Sequence, residues 1–321
     1  MILTTLSHDF TPRNSALRFG IESESDTPQD VEIEVVDCDN DTTIARQRLR
    51  KVTSAEVNIA PYATLPAEHR PTQLVGTSFE ELPTAQYTIR TNGVEATPIR
   101  ISVNRCEVST PTIVTTMPLD RTIAYGERDE LLLMGGVDDH FAAHIESDQG
   151  DDLSLDYTSP TGAVRLTIST EDFERNIGSL SVEITHNGEW LTTLHYKVVR
   201  ARSKSLRLAW ISEKGSIERY TFPAIAKAQR KSEKQTITTT DGLQVASSTS
   251  EQLLLLNSRY EPRHITKALA EIISSTKVWI ERRNNLHEVE VLTSVIDSNL
   301  FGKPDSVRLT LRQWGRKEGS V

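Results

Sequence analysis

Apolar and polar residues alternate with a period of two through most of this chain, which is the pattern of strands with one buried face. In VEIEVVD (31–37), Val31, Ile33 and Val35 fall on one side and the glutamates on the other. SVRLTLRQW (306–314) does the same with Val307, Leu309 and Leu311 against Arg308, Thr310 and Arg312. Asn-Gly at 92–93 and Asn187-Gly188 stand between such runs. Each predicts a tight hairpin, because a type I′ turn needs positive φ at both central positions.

The runs group into three units. Residues 1–105 predict a first β-sandwich, with a strand at 31–37, an acidic turn at 39–41, a return strand from Thr43 to Leu49, and a closing hairpin. Residues 106–204 predict a second, from TIAYG, ELLLMGG, FAAHIES, DLSLDYTS, AVRLTIS and SLSVEITHNGEWLTTLHYKVVR. One helical turn is expected there, at Thr170–Arg175.

Residues 205–321 differ. LRLAWISEKGSIERYTFP reads as an aromatic hairpin turning at Glu213–Ser216, and AIAKAQRKSEKQT (224–236) reads as a basic loop or frayed helix within a long polar loop, 223–252. Ile265, Leu269, Ile272 and Ile273 then recur at helical spacing after Pro262, predicting one amphipathic helix over 262–275. Strands are expected at Leu253–Leu256, Lys277–Glu281, Glu288–Leu292, Val295–Ile296 and Ser306–Trp314. The fold class is mainly β: two sandwiches, then a barrel or sandwich domain with a single α-helix.

Charge sharpens this division. Over 321 residues the net charge is −9, but residues 1–204 hold 18 Lys/Arg and 32 Asp/Glu, net −14, leaving 18 and 13, net +5, for the remainder. Unlike patches at opposite ends suit head-to-tail contact between copies and do not suit a nucleic-acid binder. The alternative is that solvated faces merely differ in sign. The start, MILTTLSHDFTPRNS, lacks a basic segment and an apolar run long enough for a signal peptide, so cytoplasmic synthesis is expected. No apolar run has the length to span a bilayer.

Motifs for chemistry are weak. His140 and His144 lack the adjacent glutamate of a zinc protease, since Phe141 stands there. Asp37-Cys38-Asp39-Asn40-Asp41 begins like a calcium loop but has Arg48 where the closing glutamate belongs. Cys38 and Cys106 sit apart with no paired spacing, so buried free thiols are expected. No nucleophile elbow, phosphate loop or dinucleotide fingerprint occurs. Thus no catalytic residue, cofactor or metal ligand is nominated. Lys227, Arg230, Lys231 and Lys234 form a basic run without interleaved aromatics, a candidate for contact with an acidic partner subunit. Trp210, Tyr220, Phe222, Trp279 and Trp314 are candidate core or interface anchors, with Trp210 and Trp279 singled out for interaction.

The order LAWISEKGSIERYTF, a variable segment, Leu253–Ser258, the helix Pro262–Ser275, Thr276–Ile280, Val295–Ile296 and Val307–Leu311 resembles tail and baseplate proteins of phages and prophages. The distal-tail and tail-tube folds of that class are the likeness for 205–321. The front, FGIESES…VEIEVVD…TTIARQRL, resembles their accessory sandwiches, while Ser212 departs from the usual asparagine of the first turn. The resemblance implies a non-enzymatic, ring-forming structural protein of a phage tail, partnered by itself and by other tail or baseplate proteins and located in the virion. The competing expectation is a tandem-sandwich, adhesin-like protein that binds glycans or host surfaces.

Overall fold

The structure, a computed structural model, describes all residues except 8–9, 13–14, 65–68, 73–74, 108, 240–241, 283–284, 297–304 and 315–321; side chains at 239, 244–250 and 314 also lie outside the description. The chain is mainly β, with one α-helix among the described residues.

The first sandwich is built from β1 (Ile2–Thr5), β2 (Arg18–Glu22), β3 (Gln29–Asp37), β4 (Thr42–Val52) and β5 (Ser54–Asn58). After β6 (Ser78–Glu81), it is completed by β7 (Ala85–Thr91), β8 (Val94–Glu95) and β9 (Ile99–Ile101). Sheet β1-β2-β5 faces sheet β4-β3-β7-β8, with β9 on β7. Val31, Ile33 and Val35, the predicted inward face, are buried with Phe19, Tyr87 and Ile89. At the predicted turn, Asn92 and Gly93 have φ of 48° and 79°, both positive as type I′ geometry requires.

The second sandwich contains β10 (Thr112–Val114), β11 (Asp120–Ala124), β12 (Arg128–Met134), β13 (Asp139–Ser147), β14 (Asp152–Ser159) and β15 (Ala163–Ser169). A single 3-10 turn at Thr170–Asp172 precedes β16 (Ser179–His186) and β17 (Glu189–Val199). Its sheets run β10-β12-β15-β6 and β11-β17-β16-β13-β14. Strand β6 therefore crosses the division drawn at residue 105: Ser78–Glu81 pairs antiparallel with β15. Phe10, Leu82 and Val103 from the first unit also pack with Leu132, Met134 and Ala163 of the second, fixing the two sandwiches together.

The third unit comprises β18 (Leu206–Ile211), β19 (Ile217–Phe222), β20 (Ala224–Thr239), β21 (Gly242–Asn257), α1 (Arg263–Ala270), β22 (Val278–Arg282), β23 (Asn285–Val291) and β24 (Arg308–Trp314). Its seven strands run β19-β18-β22-β23-β24-β21-β20. The two ends of that order, β19 and β20, are consecutive in the chain with only Pro223 between them. A single bent run of chain thus supplies both margins, so the sheet must curl toward a barrel. Helix α1 packs Ala268 and Leu269, followed by Ile272, against Trp210, Leu254, Leu256, Leu309 and Leu311.

The helix starts where expected, at Pro262, but is shorter: α-geometry ends at Ala270 and a 3-10 turn carries it to Ile273. Val295–Ile296 forms no strand. The larger difference is at 224–239. The expected basic loop or frayed helix is a 16-residue strand, paired with a second of 16 residues. Its sequence hides this because 226–238 are all solvent-exposed, so neither face carries an apolar period.

Candidate functional site: the charged junction and the arm

Strand β12 reads RDELLLM and is buried along its whole length. Leu131 and Leu133 enter the second sandwich's core. Its three charged residues, Arg128, Asp129 and Glu130, meet charges from the barrel unit and from neighbouring strands. Glu281 on β22 accepts from Arg128 Nε at 3.0 Å and from Arg219 Nε at 3.0 Å, with Arg207 Nε 3.5 Å away. Arg219 also donates to Glu130 at 2.7 Å. Arg121 donates to Asp129 at 2.6 Å, and the buried Tyr196 hydroxyl donates to the same oxygen at 3.1 Å. Arg207 bridges the units, donating to the Arg128 carbonyl at 2.6 Å and to Glu127 at 3.0 Å. Glu218 completes the set, accepting from Thr115 Oγ1 at 2.8 Å and Thr116 N at 2.9 Å.

Among the described residues, five guanidinium groups (Arg121, Arg128, Arg165, Arg207, Arg219) thus face five largely buried carboxylates (Glu127, Asp129, Glu130, Glu218, Glu281) in one layer, with the half-exposed Glu80 3.5 Å from Arg165 at its margin. The balance matters, because uncompensated charge in such a layer would be prohibitive. Burial alone would raise the Asp129 carboxyl, but Arg121, Arg207 and Arg219 outweigh it and hold it below the ordinary range. Glu281 is held low in the same way, burial being overcome by Arg219, Arg207 and Arg128. His69 lies in the layer with Nδ1 3.2 Å from the Gly215 carbonyl; the neutral Nδ1–H tautomer makes that hydrogen bond. Burial, reinforced by Arg165, pushes its pKa down to about 4. The mutual pairing of these charges across the two units makes the set a structural joint.

The second feature is the ribbon formed by β20 and β21. Among the described residues, strand β21 pairs with β24 from Glu251 to Asn257. From Ser232↔Ser250 to Thr239↔Gly242 the two strands have each other alone among the described residues. Those eight cross-strand pairs extend the ribbon by roughly 26 Å at 3.3 Å per residue. Lys227, Arg230, Lys231 and Lys234 are all on β20 and exposed; Lys231 pairs with Glu233 at 2.7 Å. Near the tip, Ile237 and Leu243 are 51% and 76% exposed.

The selected tryptophans lie elsewhere. Trp210 is fully buried in the barrel core, and Trp279 packs with Ala209, Ile211 and Ile217 on the face shared with Arg207 and Glu281. They are core and joint residues rather than a contact surface, because β18 and β22 are covered on both faces. Trp314's side chain lies outside the described part. Trp190, passed over in the sequence, is 66% exposed and is steadied by Nε1 donating to Thr193 at 3.0 Å. It falls in a cross-strand row with Thr185, Ala142 and Asp156.

The other candidates separate. His144 faces Ser154 Oγ at 2.9 Å and His140 faces Asp156 at 3.5 Å, each with its own partner. Among the described residues no group of three His, Cys, Asp or Glu is placed to hold a metal ion. Asp37 folds its own turn, accepting from Asp39 N at 3.0 Å and Asn40 Nδ2 at 2.8 Å. Cys38 and Cys106 are free, and burial pushes the Cys38 thiol up to about 11. A depression of about 320 Å³ over Glu32, Glu34, Arg46 and Arg90 is lined mostly by paired charges, Glu34–Arg46 at 2.8 Å and Arg90–Glu95 at 3.0 Å. No helix among the described residues is long and apolar enough to cross a membrane.

The joint residues carried a readable signal: a lone arginine inside an apolar strand, as in AVRLTIS, LRLAWI and IERYTF. An arginine there needs a buried carboxylate, and RDE heading LLLM supplies it.

No family model matches the chain, and no curated protein matches it. Among solved structures it is similar to domains 4–9 of the surface layer protein SbsC, at 9% identity and a TM-score of 0.22, covering 95% of this chain and 39% of that one. It is also similar to the FN1–FN3 domains of chicken CNTN1, at 10% identity and a TM-score of 0.21, covering 86% of this chain and 92% of that one. Likenesses this remote identify no function.

Proposed function

We propose that this protein is a non-enzymatic structural component of a phage-like tail or baseplate that assembles with copies of itself into rings. One observation carries the reading, the projecting β20–β21 ribbon. A two-stranded ribbon with both faces in water is marginal on its own, and a long open strand edge invites pairing with another chain. Such an arm is stable when a neighbour covers it. The chain's acidic front and basic rear supply unlike surfaces for a heterologous contact, the kind that closes rings. The barrel unit with one helix agrees with the resemblance to distal-tail and tail-tube proteins. Its partners are itself and adjoining tail or baseplate proteins, with no nucleic acid or membrane involved, and its place is the virion of a phage or prophage.

Light scattering at micromolar concentration with negative-stain imaging tests this. Annuli or stacked rings are the expected result. A monomer at every concentration that joins no tail complex would overturn the reading.

A second reading has its own observation. Exposed Trp190, beside Thr185, Ala142 and Asp156, resembles a platform on which a sugar ring could stack. On that reading the second sandwich binds a glycan or host surface, and a glycan array on which wild type and Trp190→Ala behave alike would remove it.

A further inference from the structure

We propose that the open edge of β20 adds as an extra strand to the edge strand β14 in a second copy of this chain, with Arg230 opposite Asp156 and Lys234 opposite Asp152. The proposal rests on the self-assembly reading and names the surface that receives the arm.

β-Strand addition needs an acceptor edge long enough to pair and without repelling charge. Several of the sheet edges are excluded. β19 is buried against the second sandwich, while β1, β6, β8 and β10 have four residues or fewer. β4 has 11 residues but carries Arg46, Arg48, Arg50 and Lys51, the same sign as the arm. β14 has eight residues, ends its sheet, and pairs only with β13 among the described strands. Its hairpin, 146–156, holds Glu146, Asp148, Asp151, Asp152 and Asp156 with no lysine or arginine.

Spacing matches as well as sign. Arg230 and Lys234 point to one face of β20, four residues apart, about 13 Å along a strand. Asp152 and Asp156 point to the outer face of β14 at the same separation, both exposed. An antiparallel pairing therefore brings two opposite-charge pairs into cross-strand register at once. A one-residue slip would turn the cations to the other face and lose both. Main-chain bonds would supply the affinity and the two pairs the register.

Full-length arm variant Arg230→Glu/Lys234→Glu, edge variant Asp152→Lys/Asp156→Lys, and a chain with all four changes provide the test. All four side chains are exposed, so circular dichroism should match wild type. The concentration for half-assembly should rise at least about tenfold in each double variant and return toward wild type in the fourfold one. Normal assembly by the edge variant, or no recovery in the fourfold chain, would overturn the proposal while leaving self-assembly intact. Wild type that never assembles would overturn the underlying reading instead.

Discussion

Replacing Glu281 by glutamine should loosen the joint between the second sandwich and the barrel. The amide keeps the shape of the carboxylate and removes one negative charge from a layer in which five cations face five anions. Arg128 and Arg219 each lose a charged acceptor at 3.0 Å, and Arg207 loses one at 3.5 Å. A single pair near 4 Å is worth about 4 kcal/mol at an effective dielectric constant of about 20. Three such attractions are offset by relief of carboxylate desolvation and by the acceptors that remain, Glu130 for Arg219 and Glu127 for Arg207. Breaking buried pairs of this kind costs about 3–5 kcal/mol, a large share of the 5–15 kcal/mol that typically holds a domain folded. Urea unfolding followed by circular dichroism and by tryptophan emission measures it. Wild type should show the two units unfolding together, and Glu281→Gln should separate the transitions. Adding Arg128→Gln, which restores four against four, should recover at least half of the loss. A shift under about 1 kcal/mol for Glu281→Gln, or a double variant no better than the single, would refute a charge-balanced joint.

Two further outcomes follow from the same region. His69 is neutral in the fold with its pKa depressed to about 4, against 6.5 when unfolded. Its contribution is therefore fully present above about pH 6.5 and is lost as the pH falls toward 4, about 3 kcal/mol in all. His69→Gln should flatten that part of the stability-against-pH curve, and an unchanged slope would count against it. Gly215 has φ +95°, and a methyl there would sit 2.5 Å from the Val103 carbonyl oxygen and 3.0 Å from Arg105 N. Gly215→Ala should cost about 2 kcal/mol or more in thermal unfolding and speed amide exchange at 103–105.

Legibility in the sequence followed physical cause. Strands with one wet and one dry face, such as 31–37 and 307–311, announced themselves by alternation, and the Asn-Gly turns by their need for positive φ. The helix was visible from its stripe, though Glu271–Ile273 tightens into a 3-10 turn that spacing alone does not reveal. The arm was misread because Lys, Arg and Gln in a strand wetted on both sides give no period. ELLLMGG reads as a strand, but the charge partners of Arg128, Asp129 and Glu130 are not legible, since they come from as far as 153 residues away. The placement of Ser78–Glu81 in the second sandwich depends on an edge pairing that its own four residues do not encode.

Pro223 is the only residue between β19 and β20, and Arg219 lies five positions before β20 begins. Whatever pulls on the tip hauls directly on a side chain clamped between Glu130 and Glu281. Tension applied outside thus reaches the seam of the molecule along covalent bonds, through a strand with register shifts at Ile225/Lys227 and Gln235/Thr236. A tether anchored in this way behaves as a lever rather than a rope.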